Sequence, residues 1–194
     1  ARMLAQASCL RSPAFPAGMT AKQSATNRAW LRRAEYLFRL VEIVALDEVH
    51  PAGEQDRHAG RVLDLLGDEE RDDMTYQLAS CYLKVGKMKE AAIWFETLKA
   101  SSYRYSKDCS YYLSYIRYTQ QRYDEALQGF LPLQDDAKYK ALVPYYIADI
   151  YATQGNYSKA QVVAQNYLSA YPNNENTAEM YRILGSASYH FQQY

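Results

Sequence analysis

One order of residue sizes occurs twice in this chain and constrains its fold more than composition does. Residues 148–161 read ADIYATQGNYSKAQ, and residues 79–92 read ASCYLKVGKMKEAA. Each stretch begins with a small residue, places an aromatic residue three positions later, and places a glycine four positions after that. A pattern that returns at a fixed interval indicates one supersecondary unit that repeats and stacks on its neighbours.

The interval between the repeated positions is nearly constant. Small residues of the first helices fall at Ala79, Ser114, Ala148 and Gly185, spaced by 35, 34 and 37. Alanines of the second helices fall at Ala91, Ala126 and Ala160, and the turns between helices fall at Gly86, Gln121, Gly155 and Gln192. Small residues let two antiparallel helices approach closely where they cross, and glycine accepts the left-handed dihedral angles that end a helix. We therefore expect the five alanines Ala79, Ala91, Ala126, Ala148 and Ala160 to be buried.

This pattern resembles the tetratricopeptide repeat (TPR), a helix–turn–helix unit of about 34 residues. The resemblance implies an all-α solenoid of antiparallel helix pairs that forms a right-handed superhelix. The second unit departs from the family, because Arg117 replaces an aromatic residue, Gln121 replaces glycine, and Pro132 shortens the second helix. The fourth unit stops at Tyr194 without its second helix, so we expect the chain to be a fragment of a longer array.

Residue usage changes sharply before the repeats. Tyr36 is the only tyrosine before Met74, although the chain has 20 tyrosines. We therefore expect an irregular leader over 1–26, a separate helical segment over 27–71, and the TPR array, with three repeats and the first helix of a fourth, over 72–194. The apolar spacing in the array predicts helices near 74–85, 88–100, 107–120, 123–132, 141–154, 157–170 and 176–191.

Several classes of chemistry have no support in the sequence. The 22 basic and 22 acidic residues balance, which gives no reason to expect a nucleic-acid partner. There is no GxxxxGK[ST], GxGxxG, GxSxG or HExxH motif, and His50, His58 and His190 lack ligand partners at metal spacing. No apolar run has the roughly 18–20 residues that a membrane span needs. We expect a protein that is not an enzyme, with no cofactor, no metal site and no membrane span.

The tyrosines supply the candidate site. In a TPR solenoid the first helices line the concave groove, and Tyr111, Tyr115 and Tyr118 recur at helical spacing on one of them, so they form a single stripe. The alternative is that neighbouring helices cover this stripe. The candidate partner-binding residues are Tyr76, Lys84, Tyr111, Tyr115, Tyr118, Tyr145, Asp149, Arg182 and Tyr189.

The resemblance implies a binding function. We expect a protein–protein interaction scaffold that binds a peptide or protein partner in the concave groove. The alternative is an exported glycan-capture module that presents tyrosine platforms, which the short inter-repeat loops and the two tryptophans, Trp30 and Trp94, make less favoured. Within the family, the sequence looks like the long exported TPR proteins of Gram-negative gut-type bacteria. That likeness implies a periplasmic or outer-membrane-associated location, with the cytoplasm as the alternative.

Overall fold

The computed structural model of the chain describes residues 54–64 and 66–192, and this part of the chain is all-α. Its helices are α1 (Glu54–Leu63), α2 (Asp68–Val85), α3 (Met88–Ser101), α4 (Ser106–Thr119), α5 (Tyr123–Phe130), α6 (Val143–Thr153), α7 (Tyr157–Ala170) and α8 (Thr177–Gln192), with a 3-10 helix at Leu131–Leu133. The leader expected over 1–26, and residues 27–53 of the helical segment, lie outside the described residues.

Packing divides the chain into two compact units, one that ends at Trp94 and one that begins at Phe95 within α3. In the first unit α1 packs against α2. In the second unit α4 packs against α5, α5 against α6, and α6 and α7 each against α8. Helices α6 and α7 also pack against each other. The boundary expected at residue 72 stays a prediction.

The seven helices predicted in the repeat region are all present, and α7 matches its predicted bounds at both ends. The start of the first one was wrong, because α2 begins at Asp68 rather than near residue 74. Asp68, Glu69 and Glu70 occupy its first turn, where carboxylates are stabilised by the positive end of the helix dipole. Helix α5 ends at Phe130 and the chain continues as the 3-10 helix, which agrees with the shortening expected from Pro132.

Three turns between helices have the same hydrogen-bond geometry. Gly86, Gln121 and Gly155 have φ angles of 86°, 61° and 75°, in the left-handed region. In each turn the N–H of this residue donates to the carbonyl three residues back, and the next N–H donates to the carbonyl five residues back, over 2.8–3.1 Å. This is a Schellman motif, which satisfies carbonyls at the end of a helix. A helix–turn–helix therefore recurs at the spacing that the sequence predicts, and the turn expected at Gln192 lies at the last described residue.

The predicted burial of the crossing alanines is confirmed. All five are fully buried, and so is Ser114. Gly185, the small residue of the fourth unit, is exposed, and a Cβ atom there would meet nothing within 4 Å. The buried face of α8 instead carries Met180, Ile183 and Ala187, which recur at helical spacing.

The second unit contains two clusters of buried side chains. The aromatic cluster, named for the rings around it, consists of Ala126, Leu127, Phe130, Leu133, Tyr139, Val143, Ile147 and Ile150. The alanine cluster consists of Ala148, Ala160, Ala164, Tyr167, Met180 and Ile183. Tyr151 and Val163 pack against both, so α6 and α7 connect the two clusters.

Candidate functional site

The tyrosine stripe of α4 is partly covered by α6. Tyr111, Tyr115 and Tyr118 are all half-buried and pack against the aromatic cluster. The ring of Tyr146 on α6 lies 6.4, 5.9 and 5.2 Å from their ring centroids, in edge-to-face arrangements. The ring of Tyr111 also contacts those of Tyr112, Phe130 and Tyr139, and each tyrosine of the stripe keeps only part of its surface accessible.

Sequence reasoning missed Tyr146, which also stacks on Phe130 at 5.1 Å with 6° between the ring planes. The same contact occurs one repeat earlier, where Tyr112 stacks on Phe95 at 4.9 Å and 12°. Tyr112 and Tyr146 occupy equivalent positions of successive repeats, and so do Phe95 and Phe130. The repeat spacing therefore contained the information needed to predict this contact. In each repeat the second helix carries an aromatic residue, and the first helix of the following repeat carries the aromatic residue that stacks on it.

A chain of polar contacts joins α4, α6 and α8. The Tyr118 hydroxyl donates a hydrogen bond of 2.7 Å to Asp149 Oδ2. The other oxygen of this carboxylate, Oδ1, lies 3.7 Å from Nη2 of Arg182. Arg182 Nε in turn donates to Glu179 Oε2 at 2.5 Å. We call Tyr118, Tyr145, Asp149, Glu179 and Arg182 the Asp149 site.

The members of the Asp149 site differ in exposure. The Asp149 side chain is 19% exposed, whereas Arg182 and Glu179 are 61% and 49% exposed. Tyr118 and Tyr145 are half-buried. The site is thus a partly sheltered carboxylate beside two aromatic rings, with one cation and a second carboxylate at its solvent edge.

The tyrosine hydroxyls of this face stay protonated at neutral pH. Burial raises the pKa of Tyr118, and the hydrogen bond to the Asp149 carboxylate raises it further. The pKa of Tyr145 is raised first by burial and then by the charges of Asp149 and Glu179. Burial also raises the pKa of Tyr111, and the neighbouring Tyr146 raises it further. These groups can therefore act as hydrogen-bond donors and neutral aromatic surfaces.

The structure brings together four of the predicted site residues, Tyr118, Tyr145, Asp149 and Arg182, with Tyr145 one helical turn before Asp149. Tyr189 lies seven residues beyond Arg182 on α8, about two turns away, and its ring contacts His190. Tyr189 is exposed, and His190 stacks on Tyr157 at 4.0 Å.

The two remaining predicted site residues, Tyr76 and Lys84, lie on α2 in the first unit. Tyr76 is half-buried, and its carbonyl accepts a 2.8 Å hydrogen bond from the Ser80 hydroxyl. Lys84 is exposed in the last turn of the helix.

A second polar group secures the start of α4 to the segment between the 3-10 helix and α6. Asp108 accepts hydrogen bonds from the Tyr139 hydroxyl and, at 2.7 Å, from Lys138 Nζ. Lys107 Nζ lies 2.6 Å from Asp136 Oδ2. This group lies at the Tyr111 end of the stripe, because the Tyr139 ring stacks on Tyr111, whereas the Asp149 site lies at the Tyr118 end.

The described part of the chain contains no group of three or more His, Cys, Asp or Glu side chains placed to hold a metal ion. Over residues 54–64 and 66–192, the helices are too short or too polar to cross a bilayer.

Comparison with known proteins does not assign the chain to a family, because no family model and no curated protein matches it. The relation to TPR proteins therefore stays a prediction. It rests on the spacing of small and aromatic residues and on the three equivalent Schellman turns.

Proposed function

We propose that this chain is a non-catalytic TPR-type scaffold that binds an extended segment of a partner protein across α4, α6 and α8. The observation that carries the proposal is the Tyr118–Asp149–Arg182 chain, which links three successive first helices beside a tyrosine-rich surface. Export to the periplasm or the outer membrane, as the family likeness implies, belongs to the same proposal.

The energetics of tyrosine favour this role. Tyrosine offers a large contact area at small rotamer-entropy cost and is enriched among binding hot spots. The rings of Tyr111, Tyr115 and Tyr118 already pack against Tyr146, so partner binding costs little additional side-chain entropy. A partner segment would bury the part of each ring that the fold leaves accessible.

The polar groups would align the partner's backbone. Tyr118 and Tyr145 carry hydroxyl groups, while Asp149 and Glu179 supply acceptors and Arg182 supplies donors. Such groups at the edge of an aromatic surface select orientation more than they add affinity.

The test is selection from a random dodecapeptide library displayed on phage, with the full chain immobilised, followed by calorimetry of the selected peptides. We expect Tyr115→Ala to weaken binding by about 2 kcal/mol or more. Tyr103→Ala is the matched control, because Tyr103 is 97% exposed outside the helices.

Melting temperatures measured on the same samples separate a binding defect from a folding defect. Equal losses for Tyr115→Ala and Tyr103→Ala would contradict the proposed surface. Binding of oligosaccharides on a glycan array, together with no selected peptide, would replace the scaffold by the glycan-capture alternative.

A further inference from the structure

The Asp149 site carries more negative than positive charge. Two carboxylates, Asp149 and Glu179, face one guanidinium, Arg182. Arg182 is held close to Glu179, at 2.5 Å, and stands 3.7 Å from Asp149, beyond hydrogen-bond distance. The Oδ1 atom of Asp149 is therefore able to accept a donor from a bound partner.

The basic residues of the three helices do not reverse this balance. Helix α6 contains none, and α8 contains Arg182 and the stacked His190. On α4, Lys107 pairs with Asp136, and Arg117 lies 3.8 and 3.7 Å from Glu96 and Glu125. The cations of α4 are thus engaged with acids away from the Asp149 site.

Two tyrosine side chains lie beside the carboxylate. The Tyr118 hydroxyl donates directly to Asp149, and Tyr145 lies one turn before Asp149 on the same face of α6. The face of a tyrosine ring attracts a cation within about 6 Å of its centroid, and the attraction strengthens as the cation loses water. A sheltered carboxylate with neutral rings beside it matches an ammonium or guanidinium group.

We propose that the Asp149 site selects a lysine or arginine side chain of the partner segment, pairing it with Asp149 Oδ1 against Tyr118 and Tyr145. This inference rests on the proposed function and specifies one feature of the partner segment, a positively charged side chain at one position. An acidic side chain would meet Asp149 and Glu179 instead, and the Arg182 charge that could attract it is already offset by Glu179.

The test uses single-residue probes and the full ¹³C,¹⁵N-labelled chain, followed by NMR. The probes are the N-acetyl amides of arginine, lysine, glutamine and glutamic acid. We expect saturable shifts of the Tyr118, Tyr145 and Asp149 resonances with the two cationic probes, and binding weaker by about tenfold with glutamine.

Three variants should change the affinity for the cationic probes in different directions, which a purely structural role of these residues would not produce. Asp149→Asn should weaken binding of the cationic probes by about tenfold, Glu179→Gln should weaken it less, and Arg182→Gln should strengthen it because a competing cation is removed. Glutamic acid binding as tightly as arginine, or cation affinity unchanged in Asp149→Asn at an unchanged melting temperature, would overturn the inference.

The same variants in the peptide selection separate this inference from the function on which it rests. Selected peptides that bind across α4, α6 and α8 with Lys or Arg at one position support both. Peptides that bind there without this preference, and without sensitivity to Asp149→Asn, overturn the inference and leave the scaffold function standing. Selection of no peptide at all overturns the scaffold function.

Discussion

The aromatic cluster and the alanine cluster lie at equivalent helix crossings one repeat apart, but they are built from different side chains. Phe130 of α5 and Ala164 of α7 occupy equivalent positions of successive repeats, and both are fully buried. Phe130 stacks on Tyr146, whereas Ala164 lies in the alanine cluster together with Met180 of α8. The repeat period therefore sets where two helices meet, and the volumes of the paired residues decide how that space is filled.

The two crossings also differ in which residue allows close approach. At the crossing of α4 and α5, a Cβ atom on Gly129 would lie 1.9 Å from the Ser114 Oγ atom. The equivalent position of the next repeat is Val163, where the partner helix presents Ala148 instead of a serine. The first crossing therefore pairs a glycine with a serine, whereas the equivalent positions of the next crossing hold a valine and an alanine.

The largest expected effect comes from removing the ring at the centre of the aromatic cluster. Phe130→Ala should lower the free energy of unfolding by about 3–5 kcal/mol, because it deletes a fully buried ring and its stack on Tyr146. Urea denaturation followed by circular dichroism measures the change. Leu131→Ala is the control, since Leu131 is the next residue and is exposed; similar losses for both would mean that the cluster does not depend on the ring.

Enlarging the small residues of the alanine cluster should cost less but still be clear. Ala148→Leu and Ala160→Leu should each destabilise the fold by about 1–3 kcal/mol, because fully buried positions at a helix crossing cannot take the added volume without displacement. Val162→Leu, on the exposed side of α7, is the matched control for added leucine. Unchanged melting temperatures for both alanine variants would show that the helices do not cross at these residues.

The glycine–serine contact can be examined by a double-mutant cycle. Gly129→Ala should destabilise the fold by about 1–3 kcal/mol, since its new Cβ atom would overlap Ser114 Oγ. In a Ser114→Ala background the cost should fall, although the two Cβ atoms would still lie 3.3 Å apart. Strictly additive free energies of unfolding would contradict the contact.

The smallest effects come from exchanging the left-handed residues of two turns, Gln121 and Gly155. Gln121→Gly should stabilise the chain by about 0.5–1 kcal/mol. A residue with a Cβ atom costs about 1–2 kcal/mol in the left-handed conformation of Gln121, and glycine removes this cost. Glycine also raises the conformational entropy of the unfolded chain, which offsets part of the stabilisation. Gly155→Gln should destabilise it by about as much, with no steric clash to add, since a Cβ atom at Gly155 meets nothing within 4 Å. Differential scanning calorimetry of the pair checks the signs, and equal signs would contradict a purely conformational origin.

The sequence by itself determined the helices, their turns and the buried alanines of the repeat region. These features depend on residues close together in the chain, such as the glycines that end α2 and α6, or on a size pattern that returns once in every repeat. Pro132 likewise acts locally, where α5 gives way to the 3-10 helix. The sequence reading missed the early start of α2 at Asp68 and the exposure of Gly185.

The tertiary structure alone decided which side of each tyrosine is covered and which charges meet. Tyr118 reaches Asp149 across 31 positions of the chain, and Arg182 reaches the same carboxylate from α8. Helical spacing places such side chains on a face but does not give the rotamers or the neighbouring helix that orient them. Gln121 takes a left-handed conformation for the same reason, because packing of α4 against α5 outweighs the cost of one unfavourable residue in the turn.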